Sequence, residues 1–193
     1  MWRPRIGAGR VARISIQLDG HRLLRRKDTG MEGSTYKAGI IGLGFIGAGD
    51  QVSGDVLGQR VEDLGGTHDA SYARHSRVEL VAGSSRDEGR RQRFSARTGG
   101  ARTYADWQEM LDAEDLDIVS VATYTHVRAE ITVGCTERGV RAIYCEKPIA
   151  STVVDGERMI AACEQSGSLL VVNHNRRFES NHRALRDLIA AGE

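Results

Sequence analysis

The stretch GIIGLGFIG, residues Gly39–Gly47, decides how the rest of the chain is interpreted. Its last three glycines form the spacing G-x-G-x-x-G directly after a short apolar run, which predicts a strand, a tight turn and then a helix. In such a turn the first glycine permits the bend, the second lets the backbone approach a pyrophosphate, and the third lets helix and strand pack closely. The residues predicted to bind a dinucleotide here are Gly42, Gly44, Phe45, Ile46 and Gly47.

Outward from this turn, short apolar runs alternate with segments of helical periodicity, as in βαβ units. Most of the runs are continuously apolar, which is typical of strands covered by helices on both faces. The predicted strands are Ala38–Gly42, Val78–Ser84, Ile118–Ala122, Ala142–Cys145 and Leu169–Asn173. The sequence therefore predicts an α/β fold with a Rossmann-type, doubly wound parallel sheet.

Periodicity predicts the helices between these strands. Two apolar stripes are formed by Trp107, Met110 and Leu111 and by Val127, Ile131 and Cys135. The last segment, Arg183–Ala191, carries Leu185, Leu188 and Ile189 on one side. Such a helix needs a surface to pack against, so we expect association or poor solubility where that surface is absent.

Residues at the helix boundaries agree with this pattern. Capping-box spacing predicts helix starts at Ser85, with Glu88, and at Thr152, with Asp155. The predicted helix ends are Gly99, Gly139 and Gly167.

The segment after the glycines is longer than usual, because the second strand of a dinucleotide fold ends about 20 residues after the motif. Here that strand begins only at Val78, so Ala48–Gly65 is interpreted as an insertion before a helix that resumes near Thr67. An insertion at this place could change the geometry of the glycine turn. A solvated loop is favoured over a metal site for its carboxylates, which are Asp50, Asp55, Glu62 and Asp63.

The end of the second strand predicts which dinucleotide is bound. In an NAD site an Asp or Glu there accepts hydrogen bonds from the ribose hydroxyls, whereas an Arg accommodates the 2′-phosphate of NADP. This chain has Ser84, Ser85 and Arg86, whose hydroxyl and guanidinium groups would bind a phosphate. NADP is therefore preferred over NAD. The alternative is that Arg86, Arg90 and Arg91 form an exposed basic helix face.

The composition excludes several classes of function. With 40% hydrophobic and 27% charged residues, the chain is an ordinary globular protein rather than a disordered one. Its basic excess is concentrated in residues 1–30, and the mildly acidic remainder disfavours nucleic-acid binding. No run is long and apolar enough to cross a membrane. The three cysteines form no C-x-x-C pair, which favours a reducing, cytoplasmic location.

Residues 1–30 have little periodicity and end in a charged cluster. They are interpreted as an Arg-rich targeting peptide, a basic arm for an acidic partner, or upstream sequence translated from a wrongly chosen start. We favour the last, because Met31 precedes the first convincing strand after only a short polar stretch. A disordered leader or upstream extension is thus predicted for residues 1–30, and the dinucleotide-binding domain for residues 31–178.

Four motifs in this order resemble one enzyme family. They are GIIGLGFIG (Gly39–Gly47), DIVSVAT (Asp117–Thr123), EKP (Glu146–Pro148) and NHNRRF (Asn173–Phe178). Over roughly Tyr36–Glu193 the chain resembles the glucose-fructose oxidoreductase, inositol dehydrogenase and MocA family. The resemblance implies a nucleotide-binding domain followed by an antiparallel α/β domain. It also implies an NAD(P)-dependent oxidoreductase that transfers a hydride to or from the hydroxyl carbon of a sugar or polyol.

The same resemblance implies roles for single residues. Lys147 is expected beside the nicotinamide as the catalytic residue that hydrogen-bonds the reacting substrate oxygen, with Glu146 positioning that lysine and the cofactor. Asn175 and Arg177 are expected on the substrate side, at the cleft between the two domains. The residues implied to flank the nicotinamide ribose include Thr123, Tyr124 and His126.

The chain departs from the family pattern around His126. The family often has Pro-Asn where Tyr124 and Thr125 stand and a histidine where Arg128 stands. The role of His126 is therefore assigned from its place in the motif and not from a matching residue type. The remaining histidines are interpreted as surface or packing residues, because no metal-like spacing links them. These are His68, His75, His174 and His182.

Residues 179–193 are interpreted as a helix that leads to a C-terminal domain lacking from this chain. Two functions are then considered: the nucleotide-binding portion of an oxidoreductase, and a stand-alone, non-catalytic NADP-binding module. The expected partner is a small sugar or polyol, with no nucleic acid, no membrane and no metal. A homo-oligomer or the missing domain in trans is the protein partner considered.

Overall fold

The computed structural model describes residues 35–52 and 64–192. The predictions for residues 1–30 and for Asp55, Glu62 and Asp63 lie outside the described residues. In the part that is described, no helix combines the length and the apolar character needed to cross a bilayer.

A six-stranded sheet forms the centre of the domain, in the order β3-β2-β1-β4-β5-β6. The strands are β1 (Tyr36–Ile41), β2 (Val78–Ser84), β3 (Arg102–Tyr104), β4 (Ile118–Val121), β5 (Ala142–Glu146) and β6 (Leu169–Asn173). All five pairings are parallel. Because β1 lies between β2 and β4, the chain winds outward from the centre in both directions. This order confirms the predicted Rossmann-type, doubly wound sheet.

β3 is the strand that the sequence prediction does not include. It has only three residues, pairs with β2 alone and lies at the edge of the sheet. None of its side chains is fully buried, so it lacks the apolar run by which the other strands are recognised. At the end of β1 the prediction is also wrong by one residue, because Gly42 has left the strand and has a positive φ of 101°.

Helices connect the strands and cover both faces of the sheet. They are α1 (Phe45–Ala48), α2 (His68–Ala73), α3 (Glu88–Arg97), α4 (Trp107–Ala113), α5 (Arg128–Glu137), α6 (Val153–Ser166) and α7 (Ser180–Ala191). Two 3₁₀ turns, Thr125–Val127 and Asn175–Phe178, follow β4 and β6. The predicted stripes are confirmed as core, since Met110 of α4 and Ile131 of α5 are fully buried.

The two faces of the sheet have different cores. Adjacent residues of a strand point to opposite faces. Accordingly Ile41 packs in the cluster that contains side chains of α4, α5 and α6, whereas Ile40 packs with Phe94 of α3. On the face that meets α2, Tyr72 packs against the cluster that contains Ile40, and its hydroxyl group lies 2.6 Å from that of Ser120. Burial there raises the pKa of Tyr72 to about 12, against the effect of the Ser120 hydrogen bond.

The helix caps confirm one predicted start and correct the other. Thr152 caps α6 by accepting a hydrogen bond from the Asp155 amide at 3.1 Å, as predicted. For α3 the predicted cap, Ser85, is wrong. The cap is Asp87, whose carboxylate accepts from the Arg90 amide at 2.8 Å, while the Ser85 hydroxyl accepts from the Asp87 amide instead. The helix ends are as predicted, with positive φ at Gly99, Gly139 and Gly167.

The last helix is longer than the predicted Arg183–Ala191, since α7 begins at Ser180. Its apolar side chains, Leu185, Leu188 and Ile189, are exposed. Within the described residues, nothing therefore covers the apolar side of this helix.

Candidate dinucleotide-binding cleft

A cleft of about 800 Å³ lies at the carboxyl ends of the central strands. It is lined by the turn after β1, the end of β2, the segment after β4 and the end of β5. The strand order reverses between β1 and β4, and open α/β sheets bind ligands at such a switch point. The cleft is therefore where this fold is expected to hold a small molecule.

The glycine turn is open to this cleft. Gly42 has φ 101°, and a Cβ placed there would lie 2.5 Å from the carbonyl oxygen of Ala122, so only glycine fits. A Cβ on Gly47 would lie 2.0 Å from the carbonyl oxygen of Gly42, which explains the close packing of α1 on the strand end. The α1 helix has one turn, and Ala48 donates its first intrahelical bond, to Gly44. The amides before Ala48 have no acceptor within this helix.

The insertion begins by leading the chain away from the turn. Gly49 ends α1 in the left-handed conformation, and Asp50 follows with 1% exposure. Arg93 of α3 binds both carboxylate oxygens of Asp50, at 2.9 and 3.0 Å, and Arg97 donates to the carbonyl of Ala48. The prediction of a solvated carboxylate is therefore wrong for Asp50. Its position could not be read from local sequence, because its partners lie more than forty residues away in α3.

The end of β2 forms one side of the cleft. Ser84, Ser85 and Arg86 all line it, and Arg86 is exposed at its rim. The predicted alternative, a shared basic face, does not hold for all three arginines. Arg91 binds the carbonyls of Ser85 and Arg86, and Arg90 lies 3.5 Å from the Asp50 carboxylate. Across the described chain Arg86 forms no ion pair, so its charge is available to a ligand.

The opposite side of the cleft is built by the segments after β4 and β5. Lys147 directly follows β5 and lines the cleft together with Thr123. Tyr124 and His126 line it as well, and their rings stack with centroids 6.2 Å apart. The hydroxyl of Thr123 is buried without a hydrogen-bond partner among the described residues. A ligand with a polar group could satisfy this hydroxyl.

Glu146 anchors the lysine segment through its carboxylate. One oxygen accepts from Asn173 at 2.6 Å and lies 3.0 Å from His68 Nε2, and the other accepts from the Lys147 amide at 3.2 Å. Burial opposes the ionised form, but the hydrogen bonds from His68, Asn173 and Lys147 hold the pKa of Glu146 below its usual range. The carboxylate of Glu146 is thus ionised and accepts hydrogen bonds next to Lys147.

Arg128 is a second anchor of the same segment. It is buried, and its guanidinium donates to the carbonyls of Thr123, Glu146 and Pro148. The strand ends that carry Thr123 and Lys147 are therefore bound to one side chain.

All but one of the residues predicted to contact the cofactor line this cleft. The exception is Gly47, which lies behind the turn. Asn175 and Arg177, predicted on the substrate side, are exposed in the 3₁₀ turn after β6 and are not among the lining residues. Their role stays a prediction.

The sequence interpretation missed His68, Asn173 and Arg128 as functional residues. Asn173 ends a predicted strand within the motif NHNRRF, which was a usable signal. The interpretation of His68 as a surface or packing residue is incomplete, because its buried ring contacts the Glu146 carboxylate, 78 residues away in sequence. Among the described residues, no cluster of histidine, cysteine or carboxylate side chains has the arrangement of a metal site.

A protein family described as oxidoreductases with an NAD-binding Rossmann fold matches residues 36–174. The chain belongs to this family. The match includes the glycine turn, the end of β2 and Lys147, and it confirms the resemblance to glucose-fructose oxidoreductase, inositol dehydrogenase and MocA proteins.

Several relatives are sugar or polyol oxidoreductases by name, and another is a 4-carboxy-2-hydroxymuconate-6-semialdehyde dehydrogenase. A D-apiose dehydrogenase of Paraburkholderia graminis is 38% identical over 57% of this chain and 30% of its own length. The myo-inositol 2-dehydrogenase of Thermotoga maritima is 27% identical over 81% of this chain and 41% of its own length. Among solved structures, the WlbA dehydrogenase of Bordetella pertussis, in complex with NADH and UDP-GlcNAcA, is 25% identical with a TM-score of 0.66.

The chain spans only part of these relatives. The match with the WlbA dehydrogenase includes 82% of this chain but only 42% of the WlbA chain. The matched parts of the D-apiose and myo-inositol dehydrogenases are no larger shares of those proteins. Compared with these oxidoreductases, the matched part of the chain corresponds to the NAD-binding Rossmann domain.

Proposed function

We propose that this chain is the nucleotide-binding portion of an NAD(P)-dependent oxidoreductase that transfers a hydride to or from a hydroxyl-bearing carbon of a sugar or polyol. One observation carries the proposal: the glycine turn and Lys147 line the same cleft at the switch point of the sheet. A dinucleotide extended across this cleft would have its diphosphate at the glycine turn and its redox ring at Lys147.

The residues present fit such a cofactor. Gly42 lets the turn approach the backbone of Ala122, where a Cβ would lie 2.5 Å from the carbonyl oxygen, and the hydroxyl of Thr123 is buried with no partner in the described structure. Amides of Gly44, Phe45 and Ile46 would bind the diphosphate. We assign Ser84, Ser85 and Arg86 to the adenosine ribose and its 2′-phosphate, and hence prefer NADP. The bound nicotinamide would supply the hydride chemistry.

Lys147 is the proposed catalytic residue. An ammonium group at the nicotinamide end would hydrogen-bond the substrate oxygen that gains or loses a proton. Its place is supported by Glu146, which accepts from its amide. Thr123, Tyr124 and His126 are proposed to flank the nicotinamide ribose. Asn175 and Arg177 are proposed to contact the substrate.

The substrate class follows from the relatives. A D-apiose dehydrogenase, a 1,5-anhydro-D-fructose reductase and a myo-inositol 2-dehydrogenase are similar in sequence to this chain. These compounds carry several hydroxyl or carbonyl groups, so we propose a sugar or polyol substrate. The second candidate is a non-catalytic NADP-binding module, which a dinucleotide-binding cleft would equally support.

A reducing, cytoplasmic location is proposed as well. Cys135, Cys145 and Cys163 are buried and free. Burial raises the pKa of Cys145 to about 11, which keeps the thiol protonated and unreactive. Oligomeric state and a second domain in trans remain predictions.

Calorimetric titration with NADPH and NADH tests the cofactor assignment. The wild-type chain should bind NADPH, and Arg86→Glu should weaken NADPH binding by about tenfold or more while changing NADH binding little, because a carboxylate repels the 2′-phosphate. Arg158→Glu is the matched control, since Arg158 is an exposed arginine on α6 outside the cleft. Equal losses of both cofactors in Arg86→Glu would refute the NADP preference.

A screen of polyols and sugars for NADPH formation or consumption then separates the two candidates. Turnover supports the oxidoreductase, and binding without turnover supports the module. If the wild-type chain bound neither dinucleotide, the nucleotide assignment itself would be wrong.

A further inference from the structure

Arg128 has an unusual environment for a charged side chain. It is the first residue of α5 and is only 7% exposed. Burial lowers the pKa of its guanidinium, partly offset by Cys145 and Glu146. None of the described carboxylates forms an ion pair with it. A buried charge is costly unless its hydrogen bonds are satisfied, so its contacts must account for its position.

The partners of Arg128 are all main-chain carbonyls. Nε and Nη2 donate to the Thr123 carbonyl at 3.0 and 2.7 Å, and Nη1 donates to the Glu146 carbonyl at 2.7 Å and to that of Pro148. Thr123 follows β4, and the other two carbonyls belong to the residues immediately before and after Lys147. The guanidinium therefore fixes both neighbours of Lys147 relative to the end of β4.

We propose that Arg128 is a positioning residue that holds Lys147 and the nicotinamide half of the cleft in one arrangement. The inference rests on the proposed function, because it assigns Lys147 to the redox end. A planar guanidinium has several donors in fixed directions, whereas a lysine ammonium is a point charge that cannot reproduce three separated contacts. The geometry thus requires arginine rather than a basic residue in general.

The two halves of the cleft make this role separable from stability. The adenosine half is built by the ends of β1 and β2, whereas the hydrogen bonds of Arg128 in the described structure go to Thr123, Glu146 and Pro148. A variant that only loosens the lysine segment should therefore weaken ligands that carry a nicotinamide and spare those that lack one. A variant that destabilises the whole domain should weaken both.

The test compares NADPH with 2′,5′-ADP, which lacks the nicotinamide half. Arg128→Met should bind 2′,5′-ADP within about twofold of wild type and NADPH about tenfold more weakly, since three carbonyls lose their donor. Arg128→Lys should show an intermediate loss for NADPH only. Arg138→Met is the matched control, because Arg138 caps the C-terminus of α5 and binds Asp112 and Gly134.

A second readout follows Lys147 directly. The rate at which an amine-reactive reagent labels Lys147 is measured by peptide mass spectrometry with and without saturating NADPH. We expect NADPH to protect Lys147 in wild type and in Arg138→Met, and to give little protection in Arg128→Met.

The inference is overturned if Arg128→Met binds both ligands as wild type does, if it loses both in parallel, or if both Arg128 variants unfold, since Arg128 would then serve folding alone. These outcomes differ from failure of the proposed function, in which the wild-type chain itself binds no dinucleotide and both assignments fall.

Discussion

At the scale of single residues, the cleft depends on groups whose partners are distant in sequence. The carboxylate of Glu146 joins α2, β6 and the Lys147 amide. These hydrogen bonds overcome the effect of burial and lower the pKa of Glu146. A group with a lowered pKa in the folded state stabilises that state above its unfolded pKa, and the contribution is lost as the pH falls through the folded pKa.

Replacement of Glu146 by Gln should therefore flatten the acid limb of the stability curve. Between about pH 5 and pH 3, a range that spans the ordinary glutamate pKa of about 4.3 and extends below it, the free energy of unfolding of wild type should fall more steeply than that of Glu146→Gln. At neutral pH the variant should be less stable by about 1–3 kcal/mol. Urea unfolding at a series of pH values measures both quantities.

Glu157→Gln is the control, because Glu157 is exposed on α6. It should keep the wild-type slope and stability. Parallel curves for wild type and Glu146→Gln would contradict the proposed ionised state of Glu146.

Residues with a local backbone requirement could be predicted, and those defined by long-range contacts could not. Gly42 and Gly47 are required by the turn itself, and the spacing of the motif records this. Arg128 donates to main-chain carbonyls, which every residue has. The residue types at the accepting positions therefore do not indicate these contacts. Asp50 was misjudged for a related reason, because its partner Arg93 follows in another helix.

At the scale of elements, the strands with apolar runs were predictable and the short edge strand β3 was not. β1, β2, β4, β5 and β6 carry apolar runs, whereas β3 has three partly exposed or exposed residues.

Two glycines inside helices differ in how closely side chains of neighbouring elements pack against them. Gly134 of α5 lies against Trp107, a residue that lines the cleft, while Gly156 of α6 has space beside it.

This difference predicts opposite effects of two alanine substitutions. A Cβ at Gly134 would lie 2.5 Å from Trp107 Cζ3, so Gly134→Ala should destabilise the domain by about 1–3 kcal/mol through overpacking. At Gly156 the nearest atom, Ile149 Cγ2, would be 3.8 Å away. Gly156→Ala should stabilise the domain by about 0.5–1 kcal/mol, because alanine loses less backbone entropy in a helix.

Denaturant unfolding of the two variants measures these changes under the same conditions. Equal effects of the two substitutions, or a loss of stability in Gly156→Ala, would contradict the packing described for α5 and α6.

At the scale of the whole molecule, the fold class and the family could be predicted from the sequence. For α7 the sequence predicts an apolar side but not whether that side is covered. The spacing of apolar residues predicted a helix with one apolar side, and the structure leaves that side exposed. Exposed apolar surface of this kind favours association. The chain also matches less than half the length of the relatives with which it is compared.

We therefore expect self-association of the isolated chain through α7. Leu185→Lys combined with Leu188→Lys should shift the sedimentation coefficient toward that of a monomer, because the charges prevent apolar contact. Val153→Lys combined with Val154→Lys, an exposed apolar pair on α6, should leave association unchanged. A wild-type chain that stays monomeric at high concentration would contradict this expectation.

The most direct measurement is a crystal structure of the chain with NADPH. We expect the diphosphate against the turn from Gly42 to Gly47, the 2′-phosphate beside Arg86 and the nicotinamide next to Lys147. A dinucleotide bound elsewhere, or one in this cleft with its nicotinamide remote from Lys147, would contradict the assignment of the cleft.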